Sequence, residues 1–373
     1  MKKSLFFLLL ASAFWAVSCN DDDGKDPLDI PANYDGAAFG TNAATELKLL
    51  SNLTKLTNEA KKGRVNGTII GLDSLFTWYA LDAPNSLENT ATNYYDDRIQ
   101  TWFNEITLAS GGTYTPGAPA GGNGGTFGGY LFDENGLEFE QMIEKGQFGA
   151  TLFNHANKLS ETTPFTPAHA DRMLAIFGAN PTFPNSYQAN LHNKPDAFSA
   201  NYCARRDKND GDGFYTTIRD NFIKLQAAAK AGDDHRDEQE DAIHAIMTNW
   251  EKSNFATVVN YLNGVIANLS ATNPTDAQKA VAMHAYGEAV GFTHGFRTVA
   301  AEHRSITDDQ IDLLLSLMNA PYNGTPTSYK FVTDPVNELS KLVTARAEIK
   351  AIFGFSDQQM EDFKKNWVIE QNR

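Results

Sequence analysis

The chain has 373 residues, and its 42% hydrophobic, 11% aromatic and 21% charged residues are typical of a water-soluble globular protein rather than a disordered, collagenous or multi-span membrane protein. A formal charge of −15 excludes a general nucleic-acid binder, because neutralising phosphate requires a surplus of Lys and Arg. The length leaves the number of domains open, since a helical chain of this size can close as one or two bundles.

The N-terminus has the pattern of a secretory signal peptide. Residues 1–18 begin with two lysines and continue with an apolar run that is too short to span a membrane. Cys19 follows the small residues Ala16-Val17-Ser18, and this arrangement resembles the lipobox of bacterial lipoproteins, in which the Cys is lipidated and the chain is cut before it. The alternative is an ordinary cleaved peptide with an incidental Cys. We expect a mature chain that begins at a lipidated Cys19.

The segment after Cys19 predicts a tether. Residues 19–40 are rich in Asp, Gly, Pro and Asn and have no hydrophobic periodicity, so we expect a flexible acidic linker before a body that spans residues 41–373. The run Asn20-Asp21-Asp22-Asp23 looks like the surface-export signal of lipoproteins from the Bacteroidota. We therefore expect the protein on the outer membrane, held by its lipid and facing the outside of the cell.

Helix signals dominate the body. Leu47, Leu50, Leu53 and Leu56 repeat every three residues, and no long stretch alternates with a period of two. In the second half, capping boxes begin at Thr275, Thr307 and Ser356, each with a Gln three residues later. Thr166-Pro167 and Asp334-Pro335 place Pro at a first helical position. The sequence predicts an all-α fold of about ten helices, in one or two sub-bundles.

Three segments lack these signals and predict long irregular loops. The first, near residues 111–129, is rich in Gly but lacks the spacing of a phosphate-binding loop. The second covers residues 180–213, where three prolines interrupt any helix. The third covers residues 321–334. We interpret them as surface connections between helices.

The most informative stretch lies in the helix that begins near Thr275. His284 and Glu288 are four residues apart and therefore project from one face of that helix. Gly287, Gly291 and Gly295 repeat every four residues and leave a smooth stripe that another helix can approach closely. Each Gly costs about 1 kcal/mol relative to Ala in a helix, so tight packing or ligand access must compensate.

An imidazole and a carboxylate one turn apart have two uses. They can be two ligands of iron or another divalent metal, or the Glu can fix the tautomer of a buried His in a core hydrogen bond. His244 is the best candidate for a third ligand, because Ile243, Met247 and Trp250 predict that its helix faces the core. The candidate metal site is therefore His284, Glu288 and His244, with a satisfied core pair as the alternative.

The whole-chain pattern resembles an uncharacterised family of Bacteroidota lipoproteins. The resemblance rests on the lipobox, on a helical body of this size, on residues 130–146 and on residues 284–296. That family is distantly similar to the imelysin-like proteins, helical-bundle envelope proteins associated with iron uptake and once described as peptidases. Imelysins carry a GxHxxE motif, which this chain lacks, since Ala282 precedes His284 and the acid lies four residues after it.

Two classes of function follow. The favoured one is a non-enzymatic binding protein of the cell envelope, which captures a metal ion, a metal complex or a small nutrient for a partner transporter. The alternative, implied by the resemblance, is an imelysin-like metal-dependent peptidase, although the sequence contains neither a GxSxG nor an HExxH motif. No catalytic residue is assigned.

Overall fold

Helices build almost all of the protein. The computed structural model describes residues 26–373, and in this range the only strands form one short hairpin. The α-helices of the first half are α1 (Phe39–Asn42), α2 (Ala44–Lys61), α3 (Leu72–Ala80), α4 (Leu87–Thr90), α5 (Asn93–Ala109), α6 (Phe139–Gln147), α7 (Asn154–Ser160), α8 (Pro167–Phe177) and α9 (Phe198–Arg206). Those of the second half are α10 (Phe214–Ala231), α11 (Arg236–Leu269), α12 (Asp276–Phe296), α13 (Asp308–Leu317), α14 (Lys330–Thr333), α15 (Pro335–Phe353), α16 (Asp357–Asp362) and α17 (Trp367–Glu370). The all-α prediction is confirmed.

Shorter helical turns complete these elements. Three 3-10 turns cover Lys62–Arg64, Asp233–His235 and Ala301–His303, and a π-helical segment, Phe148–Phe153, joins α6 to α7. The predicted number of about ten helices is too low because several helices have only four residues, such as α4 and α14. Such short elements contain too few residues for a hydrophobic period to be visible in the sequence.

The predicted helix starts are where the capping signals place them. The backbone N–H of Gln278 donates to Thr275 Oγ1 at 3.3 Å, and the equivalent bond at α16 joins Gln359 to Ser356 at 3.1 Å. α13 has the same capping box at Thr307. α8 and α15 both begin with Pro. These boundaries follow from local chemistry and need no tertiary contact.

A single hydrophobic cluster runs through most of the described chain, from Tyr34 to Val368. Its centre is the antiparallel arrangement in which α11 packs against both α10 and α12. α6 packs on the other side of α12. Large aromatic side chains such as Trp250, Phe255 and Phe292 are almost completely buried there. No helix within residues 26–373 is long and apolar enough to cross a membrane.

The glycine stripe of α12 is the contact surface for α6, as its spacing predicts. A Cβ atom added to Gly291 would lie 2.6 Å from the carbonyl oxygen of Gln141, and one added to Gly295 would lie 2.2 Å from that of Gly146. Neither distance is compatible with a side chain. The two backbones therefore approach closely, and this crossing fixes the position of α6 relative to the face that carries His284 and Glu288.

The folded body begins before Thr41. Tyr34 is buried, and its hydroxyl donates to Asp171 at 2.7 Å. The backbone N–H of Asp35 donates to Gln226 at 2.8 Å. Contact with α8 and α10 thus starts inside the segment predicted as tether. Residues 1–25, which include the predicted signal peptide and Cys19, lie outside the described residues.

All three predicted loops contain some structure of their own. Strands β1 (Gly125–Phe127) and β2 (Tyr130–Phe132) form an antiparallel hairpin at the end of the glycine-rich loop. α9 lies within residues 180–213, because the last proline of that segment, Pro195, precedes it and leaves residues 198–206 free to form a helix. In the third loop, residues 321–329 are irregular before α14 begins at Lys330.

Candidate functional site

His284 and Glu288, here called the His284 pair, lie on one face of α12 as predicted. The distance from His284 Nε2 to Glu288 Oε2 is 3.6 Å, which is longer than a good hydrogen bond. His284 has a closer partner at the start of α6, where Oε2 of the N-cap residue Glu138 lies 2.7 Å from His284 Nδ1. The helix that packs on the glycine stripe therefore supplies the carboxylate that holds the imidazole.

Glu288 is also held by groups from other helices. The hydroxyl of Tyr261, on α11, donates to Glu288 Oε1 at 2.9 Å. The ammonium group of Lys145, on α6, lies 3.6 Å from the same oxygen. Burial acts to lower the pKa of Lys145, but the neighbouring Glu144 carboxylate outweighs this effect and holds that pKa above its ordinary value. Glu288 thus has a positive charge and a hydroxyl donor within reach inside the protein.

Glu138 is completely buried, and its pKa is strongly perturbed. Burial raises the pKa of Glu138 to about 8, and this shift is opposed by the guanidinium of Arg64, whose Nη2 lies 3.0 Å from Glu138 Oε1. Burial also lowers the pKa of His284. Both shifts favour the neutral forms, a protonated carboxyl group on Glu138 and a neutral imidazole on His284. A proton shared between this carboxyl group and Nδ1 of the imidazole is consistent with the 2.7 Å distance.

The ring of His284 is covered on one side. It stacks on Tyr130 of β2, with ring centroids 4.2 Å apart and planes 13° from parallel, and its side chain is 20% exposed. Tyr130 also contacts the guanidinium of Arg64, 5.1 Å from the ring centre. Glu138, Tyr130 and Tyr261 surround the His284 pair as in the core pair that the sequence left as an alternative. His284 Nε2 has only the 3.6 Å contact with Glu288, and Glu138 Oε1 has no hydrogen-bond partner within residues 26–373.

His244 does not join this group. Tyr261, which does reach Glu288, lies seventeen residues further along α11, and a rise of 1.5 Å per residue separates the two positions by about 25 Å. His244 instead lines a surface cavity of about 320 Å³ together with Glu240 and His303. The prediction of His244 as a third ligand rested on its core-facing helix and could not fix how far along that helix the contact falls.

A metal centre finds no support in the part of the chain that the structure describes. Within residues 26–373, no three His, Cys, Asp or Glu side chains are grouped so that they could hold a metal ion. The nearest approach to a donor set is Glu138, His284 and Glu288, and each already has a protein partner. Iron or another divalent metal at His284 and Glu288 stays a prediction from the sequence, without His244 as a third ligand.

A second polar site lies at the other end of α12. His294 lines a cavity of about 380 Å³ between α5, the turn after β2 and the loop of residues 320–326. We call this space the His294 cavity. Its charged and ionisable lining consists of Arg98, Glu105, Asp133 and His294, and its apolar lining includes Trp102, Leu137, Phe139 and Met142. The volume falls within the range of small-molecule sites.

His294 is 5% exposed and surrounded by aromatic rings. Its ring centroid lies 5.5 Å from that of Trp102 and 5.3 Å from that of Tyr322, with Tyr94 and Tyr95 each at 5.9 Å. Burial, with a further contribution from the charge of Arg98, lowers its pKa to about 3, so the imidazole is neutral at neutral pH. Its Nδ1 atom has no hydrogen-bond partner among the described residues.

Glu105 and Asp133 bring two carboxyl groups to the same cavity. Burial raises the pKa of Glu105 to about 7, and the negative charge of Asp133 contributes to this shift. Burial likewise raises the pKa of Asp133 to about 6. Asp133 accepts backbone hydrogen bonds from Leu137 at 2.7 Å and Asn135 at 3.0 Å, whereas Glu105 forms no hydrogen bond or ion pair within residues 26–373.

A short loop covers the cavity and is attached by side chains of α5. Tyr322 stacks on Tyr94 with ring centroids 4.5 Å apart. Arg98 donates through Nη2 to Asn323 Oδ1 at 3.0 Å and through Nε to the Tyr94 hydroxyl at 3.1 Å. These contacts are exposed or half-buried, and contacts of this kind are individually weak.

A larger cavity elsewhere in the protein has a different character. It measures about 780 Å³, lies between the start of α2 and the segment after α8, and is lined mainly by apolar side chains such as Tyr34, Phe39, Leu50 and Phe198. The hydroxyl of Tyr34 already donates a hydrogen bond to Asp171. This cavity offers volume but few groups that would select a ligand.

Comparison of the chain with models of protein families, with curated proteins and with solved structures finds no match. Functional inference therefore rests on the geometry alone. His294 lies in the stretch that the sequence singled out, but its role was missed, because a histidine near the end of a glycine-rich helix has no partner at helical spacing. The signal that identifies it, a buried nitrogen without a partner, exists only in three dimensions.

Proposed function

We propose that the protein is a lipid-anchored, non-enzymatic binding protein of the cell envelope that holds a small nutrient in the His294 cavity for a partner transporter. The observation that carries the proposal is that His294 and Glu105 line one cavity, while His294 Nδ1 and the Glu105 carboxyl have no hydrogen-bond partner within residues 26–373. Buried polar groups are normally hydrogen-bonded, so a group left open beside an empty volume is suited to a ligand.

Of the three ligand classes that the sequence allows, a small organic nutrient is favoured over a metal ion or a metal complex. A metal ion needs several ligands that converge on one point, and the described residues supply no such group. The His294 cavity instead combines a few polar atoms with an apolar wall, which is the usual composition of a site for an organic molecule.

The anchor is the second part of the proposal. Lipidation of Cys19 would keep the protein at the outer membrane, with its folded body beginning at Tyr34 only fifteen residues later. In the variant Cys19→Ala, we expect the protein to leave the membrane fraction. Retention of the variant in that fraction at the wild-type level would contradict the anchor.

Binding is tested on protein isolated from its own membrane. Native mass spectrometry of the full-length lipoprotein in a mild detergent is expected to show a small-molecule adduct that dissociates on collisional activation. Purified protein is also expected to leave peptide substrates intact with and without divalent metal. Chelator-sensitive cleavage, or the absence of any adduct from protein of native membranes, would overturn the proposal.

A further inference from the structure

We infer that the ligand of the His294 cavity carries a protonated amino group on a short apolar chain, and that Glu105 and Asp133 are the groups that recognise the amino end. This inference rests on the proposed function of the cavity and narrows it to one chemical class. It is carried by the charges, the partners and the apolar wall of the cavity.

The charge of the lining favours a cation. Arg98, Glu105 and Asp133 are its only members with a formal charge, because His294 is neutral, and once Glu105 has lost its proton two carboxylates outweigh one guanidinium. Arg98 is already occupied by Tyr94 and Asn323. A ligand that brings one positive charge therefore leaves the cavity electrically balanced.

The hydrogen bonding of Glu105 also favours a cationic ligand. Glu105 has no donor partner within the described residues, and a carboxylate can only accept hydrogen bonds. Removing a carboxylate from water without a partner is costly, and an ammonium group offers both a charge and up to three donors. The pKa of Glu105, raised to about 7 by burial and by Asp133, reflects this missing partner.

Asp133 is already held in position. Its side chain accepts from the backbone of Leu137 and from both the backbone and the side chain of Asn135, the last at 3.1 Å. The turn after β2 is also fixed to the loop that covers the cavity, because the N–H of Tyr329 donates to the carbonyl of Asn135 at 3.0 Å. A pre-organised carboxylate lowers the cost of binding.

The unpartnered nitrogen of His294 is an independent observation that indicates a ligand. The side chain is buried, lines the cavity, and is neutral, so Nδ1 can accept a hydrogen bond without charge repulsion from an ammonium group. A protonated histidine at this place would repel a cation. The low pKa of His294 is therefore compatible with the proposed ligand.

The rest of the cavity fits a hydrocarbon chain. Leu137, Phe139 and Met142 lie on the wall together with Trp102, which is 7% exposed. A cavity of about 380 Å³ has room for a small amine and excludes a macromolecule. A sugar or another neutral polyol would leave the net negative charge of the lining uncompensated.

The test uses butylammonium and its neutral analogue butan-1-ol, which have the same chain length. The full-length lipoprotein is melted in a non-ionic detergent at constant ionic strength with increasing concentrations of each probe, because a ligand that binds the folded state raises the midpoint. We expect butylammonium to bind at least tenfold more tightly than butan-1-ol. Glu105→Gln should abolish this preference, whereas Glu370→Gln, which removes an exposed carboxylate elsewhere, should retain it.

Equal shifts with both probes, no shift with butylammonium, or an unchanged preference in Glu105→Gln would overturn the inference. The adduct seen by native mass spectrometry distinguishes a failure of this inference from a failure of the proposed function. An adduct whose mass and fragments exclude an amino group overturns the amine class and leaves a binding protein. The absence of any adduct overturns both.

Discussion

The two halves of α12 carry histidines in opposite states. Around His284, the Nδ1 atom is held by Glu138 and the Glu288 carboxylate is held by Tyr261 and Lys145, and α6 packs directly on the glycine stripe. Around His294, ten residues further along the helix, an imidazole nitrogen and a nearby carboxyl border a cavity and have no hydrogen-bond partner within residues 26–373. This difference shows that the spacing of residues in a helix predicts on which face a polar side chain lies. Whether that side chain is structural or available to a ligand depends on the groups that surround it.

The largest effect is expected where α12 crosses α6. Gly295→Ala would place a Cβ atom 2.2 Å from the carbonyl oxygen of Gly146, so α6 must shift, and we expect a loss of about 3 kcal/mol in the free energy of unfolding. Gly264→Ala is the matched control, because nothing lies within 4 Å of the added atom near the C-terminal end of α11. It should stabilise the protein by about 0.5–1 kcal/mol. If urea denaturation showed equal changes in the free energy of unfolding for the two variants, the close approach of α6 and α12 would be disproved.

The role of the His284 pair is tested by removal of the imidazole. His284→Ala deprives the buried Glu138 of its 2.7 Å partner, so we expect a loss of roughly 2–3 kcal/mol. His192→Ala, whose side chain forms no hydrogen bond in the described residues, should stay within about 0.5 kcal/mol of the wild type. Metal analysis of native protein is expected to give the same content for wild type and His284→Ala. A metal that is lost only in His284→Ala would restore the metal site predicted from the sequence.

The state of His294 predicts a dependence on pH. Its folded pKa of about 3 lies below the ordinary value of 6.5, so the unfolded chain binds the proton first as pH falls. The stability contributed by the neutral imidazole is complete above pH 6.5 and decreases below it. Between pH 6.5 and pH 5 we expect wild type to lose about 2 kcal/mol relative to His294→Phe.

This comparison must be made as a difference between the two proteins. Glu105 and Asp133 have raised pKa values and contribute with the opposite sign in the same pH range. At pH 7 the variant should be at least as stable as wild type, because the Phe ring fits among the aromatic side chains and removes the unpartnered nitrogen. Parallel stability curves for the two proteins between pH 5 and pH 7 would show that His294 is not buried as described.

The smallest effect is expected at Glu105. Its folded pKa of about 7 exceeds the ordinary value of 4.5, so its contribution to stability is present below pH 4.5 and is lost as pH rises through 7. Glu105→Gln should therefore be about 1 kcal/mol more stable than wild type at pH 8, after allowance for partial exposure of the side chain, and equal to it at pH 4. Urea denaturation at the two pH values measures this, and a variant that is less stable at pH 8 would imply a partner for Glu105.

Much of this architecture could be predicted from the sequence because it depends on local chemistry. The capping boxes at Thr275, Thr307 and Ser356 mark three helix starts, and the spacing of the glycines in α12 predicts a close helix contact. The identity of the contacting helix could not be predicted. Glu138 lies 146 residues before His284 in the chain, and no local pattern relates two residues at that separation.

The same lack of long-range information in the sequence explains which residues of the candidate site were predicted and which were not. His284 and Glu288 were found because their spacing is regular, and the regularity turned out to place both among other polar side chains. His244 was added because its helix faces the core, yet only the packing of α11 shows that Tyr261 occupies the place next to Glu288. An unpartnered atom such as His294 Nδ1 is defined by what does not surround it, and this information is absent from a single sequence.

The central claim is that ligand binding belongs to the His294 half of α12 and that the His284 half is structural. The most direct measurement is native mass spectrometry of wild type, His284→Gln and His294→Phe, each isolated from its own membrane. We predict an adduct of the same mass on wild type and His284→Gln, and none on His294→Phe. An adduct that survives in His294→Phe and disappears in His284→Gln, with both variants folded, would contradict the claim and return the site to the His284 pair.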